Sequence, residues 1–287
     1  MAADALNRYA ADCRAFVDEA ARQGLGDVRD LWWYHTVDLG DGLVTPGLYD
    51  LRATLDDYGL PADMHGLSVL DAGAATGFFS FAFARRGARV VALELPSLDA
   101  LDRFYGQTAE DVIGNLERMT YRPDGELPQG VAARSAWWYR TVIERPFELC
   151  RSRLGIPVER RFLAIYDASP ATLERAPFDV VYAGDVLLHT LYPMRALAAL
   201  ASVCAGELIV VQRLAGTPDD APAMAYVGGD DPHADKLNWW LPNFQCLRSH
   251  LRKLGFDDVR DLGTSTALHR PLGRAIERTV VRAARAS

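Results

Sequence analysis

The chain has 287 residues, 49% of them hydrophobic and 24% charged. A chain of this size and composition buries roughly three quarters of the surface its unfolded form exposes, which excludes disordered and fibrous classes. Its 31 Lys and Arg against 38 Asp and Glu leave a formal charge of −7, which argues against nucleic acid as a partner, because gripping a phosphate backbone needs many cationic contacts. Cys13, Cys150, Cys204 and Cys246 stand far apart, with no CxxC pair and no Cys/His cluster at ligand spacing, so buried free thiols and no metal are expected. The N-terminus has an early acid and no basic stretch ahead of an apolar one, and no run reaches the ~18 apolar residues of a membrane span. A reducing cytoplasm and no membrane contact are the expectation.

In chain order, apolar residues recur at three-to-four spacing through residues 2–23, which predicts an amphipathic helix. Residues 31–50 combine clustered aromatics with Gly, Asp and Pro and read as a loop, a hydrophobic lid over either the core or a ligand. A short strand at 68–71, a small-residue turn at 73–77, a helix at 78–86 and a β-branched strand at 89–93 form a βαβ unit. Further strands are predicted at 161–166, 178–183 and 207–212, with a helix at 193–205 between the last two. A helix at 247–254 leads to a strand near 257–262, and residues 278–285 supply a last strand or a helix. The alternation predicts an α/β fold, a doubly wound and mostly parallel Rossmann-like sheet. Residues 1–60 are expected to form an N-terminal helix and aromatic lid, and 61–287 the main domain. Residues 98–159 exceed a direct connection between the second and third strands, so a helical cap is expected there.

The first strand runs into Asp71-Ala72-Gly73-Ala74-Ala75-Thr76-Gly77, and the second ends in Glu94, 23 positions after Asp71. Glycines let a ligand approach the backbone at a helix N-terminus, and an acid ending the next strand accepts both hydroxyls of a ribose. A dinucleotide fingerprint would need glycine where Ala75 and Phe78 stand. S-adenosylmethionine (SAM) carries no phosphate and tolerates this turn; a nicotinamide cofactor or a purely structural turn remain the alternatives.

On VLDAGAATGFFSFAFARRGARVVALEL, on FDVVYAGDVLLHTLYPMRAL followed by GELIVVQ, and on NWWLPNFQCLRSHLRKLGFDDVR, the chain resembles class I SAM-dependent methyltransferases over residues 33–262. Within that group it is similar to the tRNA wobble-uridine (carboxy)methyltransferase branch. The resemblance implies that Gly73 and Ala74 contact the methionine part, Glu94 and Leu95 the ribose, Tyr166 and Asp167 the adenine, and Gly184 the sulfonium side. Read from the residues alone, Asp167 is an acceptor for the adenine amino group or a helix N-cap. The departures carry weight. That branch holds the carboxylate of a carboxylated cofactor with lysines ahead of the first strand and a tyrosine before the motif histidine. Here no lysine precedes Lys236 and that tyrosine is Leu188, so ordinary SAM and methyl transfer to something other than tRNA are expected.

If the acceptor is a hydroxyl, a base at the site helps. His189 follows the fourth strand, where strand ends face the site; His35 lies in the lid and His233 in a late acidic loop, and Asp185 belongs to the same motif as His189. Packed or capping roles are the competing readings for the histidines. Asp230, Asp231, His233 and Asp235 read as a solvated acidic loop in preference to a cation site. The aromatic clusters containing Trp33, Tyr34, Trp138, Trp239 and Trp240 suggest a pocket for a small apolar or aromatic acceptor, or simply partly buried packing. Arg270, Arg274, Arg278 and Arg282 read as a solvated face or a homodimer contact. The expected activity is SAM-dependent methylation of a small organic acceptor, at oxygen, in metabolite or natural-product tailoring. The alternatives are tRNA wobble-uridine modification and SAM binding without catalysis.

Overall fold

The computed structural model describes residues 2–119, 127–217, 220–231 and 237–286. The chain begins with helix α1 (Ala2–Arg22), then crosses the lid to a two-residue strand β1 (Tyr49–Asp50). The βαβ unit comprises β2 (Ser68–Ala72), α2 (Phe78–Arg85) and β3 (Arg89–Glu94). The insertion follows as α3 (Ala109–Met119), α4 (Val131–Tyr139), a π turn (Arg140–Glu144) and α5 (Arg145–Leu154). Next come β4 (Glu159–Phe162), β5 (Phe178–Gly184), α6 (Pro193–Ser202) and β6 (Cys204–Gln212). The chain finishes with a small hairpin of β7 (Met224–Tyr226) and β8 (Trp240–Pro242), then α7 (Phe244–Lys253), β9 (Asp258–His269) and β10 (Arg274–Ala284).

Eight strands form one sheet in the order β1-β9-β10-β6-β5-β2-β3-β4. The five strands β4, β3, β2, β5 and β6 run parallel, and β10 inserts antiparallel between β6 and β9. The continuous apolar runs of β2, β3 and β5 are those of strands covered on both faces. One face packs Phe16 of α1, Phe79 and Phe83 of α2 and Phe147 of α5; the other packs Leu197 and Leu200 of α6 and Leu247 and Leu251 of α7. This is the doubly wound, mostly parallel α/β architecture. Strand order reverses at β2, with β3 and β5 on either side, so the crevice at their carboxyl ends is where such sheets bind ligands.

Several boundaries move. The strand expected at 161–166 is β4, which stops at Phe162, and a short 3-10 turn, Ile165–Asp167, occupies the rest. The ambiguous C-terminal segment is a strand, β10, in long antiparallel pairing with β9, which runs on to His269. Tertiary pairing decides this, because residues four apart share a face in a strand as well as in a helix.

The lid is a tight loop. Thr36 N–H donates to Tyr49 O at 2.8 Å, Leu48 N–H to Trp33 O at 2.8 Å, and Thr45 N–H to Val37 O at 2.9 Å. Gly47 makes this possible, since a Cβ there would lie 2.0 Å from the backbone of His35 and Thr36.

Candidate functional site

The crevice is built from three strand ends. β2 delivers the Gly73–Gly77 turn, and Gly73 N–H and Ala74 N–H both reach Leu93 O on β3, at 2.9 and 3.3 Å. Gly73 has φ +77° and Gly77 φ +86°, left-handed values that glycine adopts without strain. Space closes off other residues as well: a Cβ at Gly77 would lie 2.5 Å from the Phe81 ring, and one at Gly73 would lie 2.9 Å from Val186. Ala75 is left-handed at φ +48° despite its methyl group, and its N–H is held by Glu94.

Glu94 is the anchor of the site. Its Oε2 accepts from Ala75 N–H at 2.8 Å and its Oε1 from Leu95 N–H at 2.9 Å. The side chain is buried, and burial raises its pKa above the usual carboxylate value while these two amides oppose the rise. Each oxygen retains acceptor capacity toward a diol. The Tyr139 hydroxyl, from the last turn of α4, donates to Leu95 O at 2.6 Å and pins the insertion beside the same corner.

Asp71 faces the other way. It is buried and accepts from Ser80 Oγ at 2.5 Å, so it braces α2 against β2 and does not line the crevice. Burial pushes its pKa up to about 7.

After β4, Tyr166 and Asp167 lie in the 3-10 turn, with Asp167 exposed. The Tyr166 hydroxyl donates to Asp102 and accepts from Tyr192 N–H at 3.3 Å, and Asp102 Oδ2 also takes Leu191 N–H at 2.6 Å. Asp102 therefore ties the start of the insertion to the loop after β5. At the end of β5, Gly184 admits no side chain, because a Cβ would lie 2.7 Å from the Tyr182 ring and hydroxyl.

The candidate bases differ sharply. His189 Nδ1 lies 2.7 Å from Leu237 O. A carbonyl only accepts, so Nδ1 carries the proton and Nε2 keeps its lone pair. Burial lowers the His189 pKa, which keeps it neutral. His35 is packed between Tyr34, Phe78 and Phe79. Its backbone N–H and its Nδ1 both lie against Thr76 Oγ1, at 3.2 and 3.3 Å, and burial drives its pKa down to about 3. The structure gives it the work of lashing the lid to the glycine turn. Asp185 is ion-paired with Arg278. His233 and Asp235 lie outside the described residues. Among the described residues no group of three His, Cys, Asp or Glu side chains is arranged to hold a metal, and no helix is long and apolar enough to cross a membrane.

The aromatic expectations divide. Trp33 is 2% exposed and packs edge-on to Phe16, 5.3 Å between ring centres. Trp138 and Trp239 are fully buried, the first against Trp137 and the second against Phe104. These three are core residues, because a flat apolar ring is stabilised most where its whole surface leaves water. Trp240 meets Tyr226 at a tilt of 60°, 5.1 Å between ring centres, and Tyr34 packs against Tyr49 within the field of Asp185 and Arg278. The arginine stripe divides: Arg270 pairs with Asp12 and Arg278 with Asp185, both arginines largely withdrawn from solvent, Arg282 pairs with Glu207 at the surface, and Arg274 is exposed. The pairings of Asp102 with Tyr166, Tyr139 with Leu95 and Arg278 with Asp185 escape a reading of the sequence, since each partner lies tens of residues away.

No protein-family model matches the chain, and no curated protein matches it. Among solved structures the chain is similar to the N-terminal domain of EvdMO1 with SAH bound, at 16% identity over 82% of this chain and 79% of that one, TM-score 0.44. It is similar to 1,6-didemethyltoxoflavin-N1-methyltransferase of Burkholderia thailandensis, at 14% identity over 82% and 79%, TM-score 0.46. It is also similar to an O-methyltransferase family protein from Burkholderia thailandensis, at 15% identity over 83% of this chain and 56% of that one, TM-score 0.48.

Proposed function

We propose that the protein is a SAM-dependent methyltransferase acting on a small organic acceptor, most simply at oxygen. The observation that carries this reading is the Glu94 carboxylate, fixed by Ala75 N–H and Leu95 N–H beside the Gly73–Gly77 turn. The donor set fits an adenosyl ligand without phosphates. Glu94 and Leu95 would hold the ribose, Tyr166 and Asp167 the adenine edge, and Gly73, Ala74 and Gly184 the amino-acid and sulfonium end. Ala75 and Phe78 stand where a dinucleotide fingerprint needs glycine, which disfavours a nicotinamide dinucleotide.

When bound, SAM supplies an activated methyl group on a sulfonium. The chain's own contribution is alignment and exclusion of water. In-line holding of two reactants is worth on the order of 7–11 kcal/mol. His189 Nε2 would take the proton of an acceptor hydroxyl, a role supported by the bond from Nδ1–H to Leu237 O, which leaves Nε2 as the ring's free base.

A tRNA substrate is disfavoured on the same page, because Arg270, Arg278 and Arg282 are each neutralised by a carboxylate. Titration calorimetry with SAM and with S-adenosylhomocysteine (SAH) tests the reading: micromolar-range binding of both is expected, and absence of heat with either ends it. Labelling of bulk tRNA from radiolabelled SAM would replace the small-acceptor reading with the tRNA one.

A further inference from the structure

Just past the end of β5 sits an ion pair that no element of the cofactor site uses. Asp185 directly follows Gly184. Its backbone is held left-handed at φ +47°, and its N–H donates to Val211 O at 2.7 Å. A non-glycine residue in that conformation persists only where the surroundings over-determine it, a pattern that concentrates at ligand sites. Arg278, on β10, reaches across the sheet and donates Nε–H to Asp185 Oδ2, while its Nη1 donates to Glu277 O at 2.9 Å. The other carboxylate oxygen, Oδ1, is sequestered from solvent and has no hydrogen-bond partner within the protein. An unsatisfied buried acceptor is costly, and more so when charged, so a fold retains one where something else supplies the donor.

The walls are phenolic. Tyr34 and Tyr49 lie 5.2 Å apart between ring centres, and His269 packs edge-on against Tyr49 at 5.1 Å. Tyr34, Tyr49 and Tyr182 all feel the charges of Asp185 and Arg278, and burial raises the pKa of each phenol, so the walls stay neutral. The Tyr182 hydroxyl is likewise buried without a partner. Asp185 is 23% and Arg278 12% exposed at the side chain, so the pair borders the opening without lying in bulk water. This corner therefore holds one anion and one cation, each committed to the other.

We propose that a chamber opens at this corner when an acceptor enters, that Asp185 is its acceptor-binding carboxylate with Arg278 as the positioning residue that aims it, and that the chamber takes a hydrogen-bond-donating group, hydroxyl or amine, and rejects anions. This deepens the methyltransferase reading and rests on it for the identity of the neighbouring ligand. An anion entering here meets the Asp185 charge and finds the guanidinium already engaged. A hydroxyl or ammonium finds Oδ1 waiting and aromatic faces around it. The same logic disfavours any extra carboxylate on the ligand beside Gly184.

The test uses three probes of equal ring size, phenol, benzylamine and benzoate, observed by saturation-transfer NMR at millimolar concentration on the full chain with and without SAH. Phenol and benzylamine are expected to bind at least about tenfold better than benzoate. In the double variant D185N/R278Q, which removes both charges together and so leaves no uncompensated buried ion, that ranking is expected to disappear. Benzoate binding as well as phenol, no binding by any probe, or an unchanged ranking in a double variant that keeps its melting temperature would each overturn the proposal. SAH calorimetry on the same samples separates the two readings: loss of SAH binding sinks the methyltransferase assignment, while the probe ranking judges the chamber.

Discussion

At the scale of single residues, the crevice turns on a few groups whose burial sets their chemistry. Glu94 → Gln keeps the shape and removes the charge that two amides and, in the proposed complex, a ribose share. With charge-assisted hydrogen bonds worth about 1.5–3 kcal/mol, SAH affinity measured by calorimetry is expected to fall about tenfold to a hundredfold. His189 → Ala is expected to leave SAH affinity unchanged and to lower kcat for a hydroxyl acceptor by about 100- to 10,000-fold. Since burial lowers the His189 pKa, its base form survives into more acidic solution than a free imidazole's. The acidic limb of kcat/KM is therefore expected below about pH 6.5, and a limb above that value would exclude His189 as the base.

The elements matter through the way the lid and the insertion are tied to the sheet. The lid closes at Gly47, where a methyl group would lie 2.0 Å from the His35 carbonyl carbon. Gly47 → Ala is expected to cost at least ~2 kcal/mol in urea unfolding, as overpacking against backbone has no flexible side chain to yield. On the other side of the crevice, Asp102 holds both the Tyr166 hydroxyl and Leu191 N–H. Asp102 → Asn weakens this tie, and amide hydrogen exchange in residues 98–102 and 190–192 is expected to accelerate about fivefold to a hundredfold while β2, β3 and β5 keep their protection. Equal acceleration in those strands would mean that Asp102 supports the whole fold and not the tie alone.

For the whole molecule, two buried groups pull stability in opposite directions with pH. His35 has a folded pKa of about 3 against an ordinary 6.5, so between those values the unfolded chain takes up a proton that the folded chain refuses, and stability falls as pH falls. Asp71 is the reverse: pushed up to about 7 from 3.8, it keeps its proton when folded, and stability falls as pH rises through that window. The two slopes offset each other. His35 → Gln leaves the Asp71 slope uncovered, so the gain in unfolding free energy from about pH 5 to about pH 7 is expected to be smaller than in the parent protein, as measured by urea titration. An identical difference in both would show that His35 is not buried neutral.

The sequence alone determined the α/β alternation, the glycine turn with its Glu94 partner, and the existence of an insertion after β3. These rest on local physics: runs of β-branched residues covered on both faces, a left-handed turn that needs glycine, and connections that must stay short. Tertiary structure decided the rest. Trp33, Trp138 and Trp239 look like acceptor-binding aromatics in sequence and are core, since composition does not tell which face of a loop turns inward. Arg278 looks like part of a solvated stripe and becomes the partner of Asp185, 93 positions earlier in the chain. An ion pair, an orphaned oxygen or a bond such as Asp102 to Leu191 is a property of distance in space, and no spacing along the chain encodes it until the sheet order brings β5 and β10 to either side of β6.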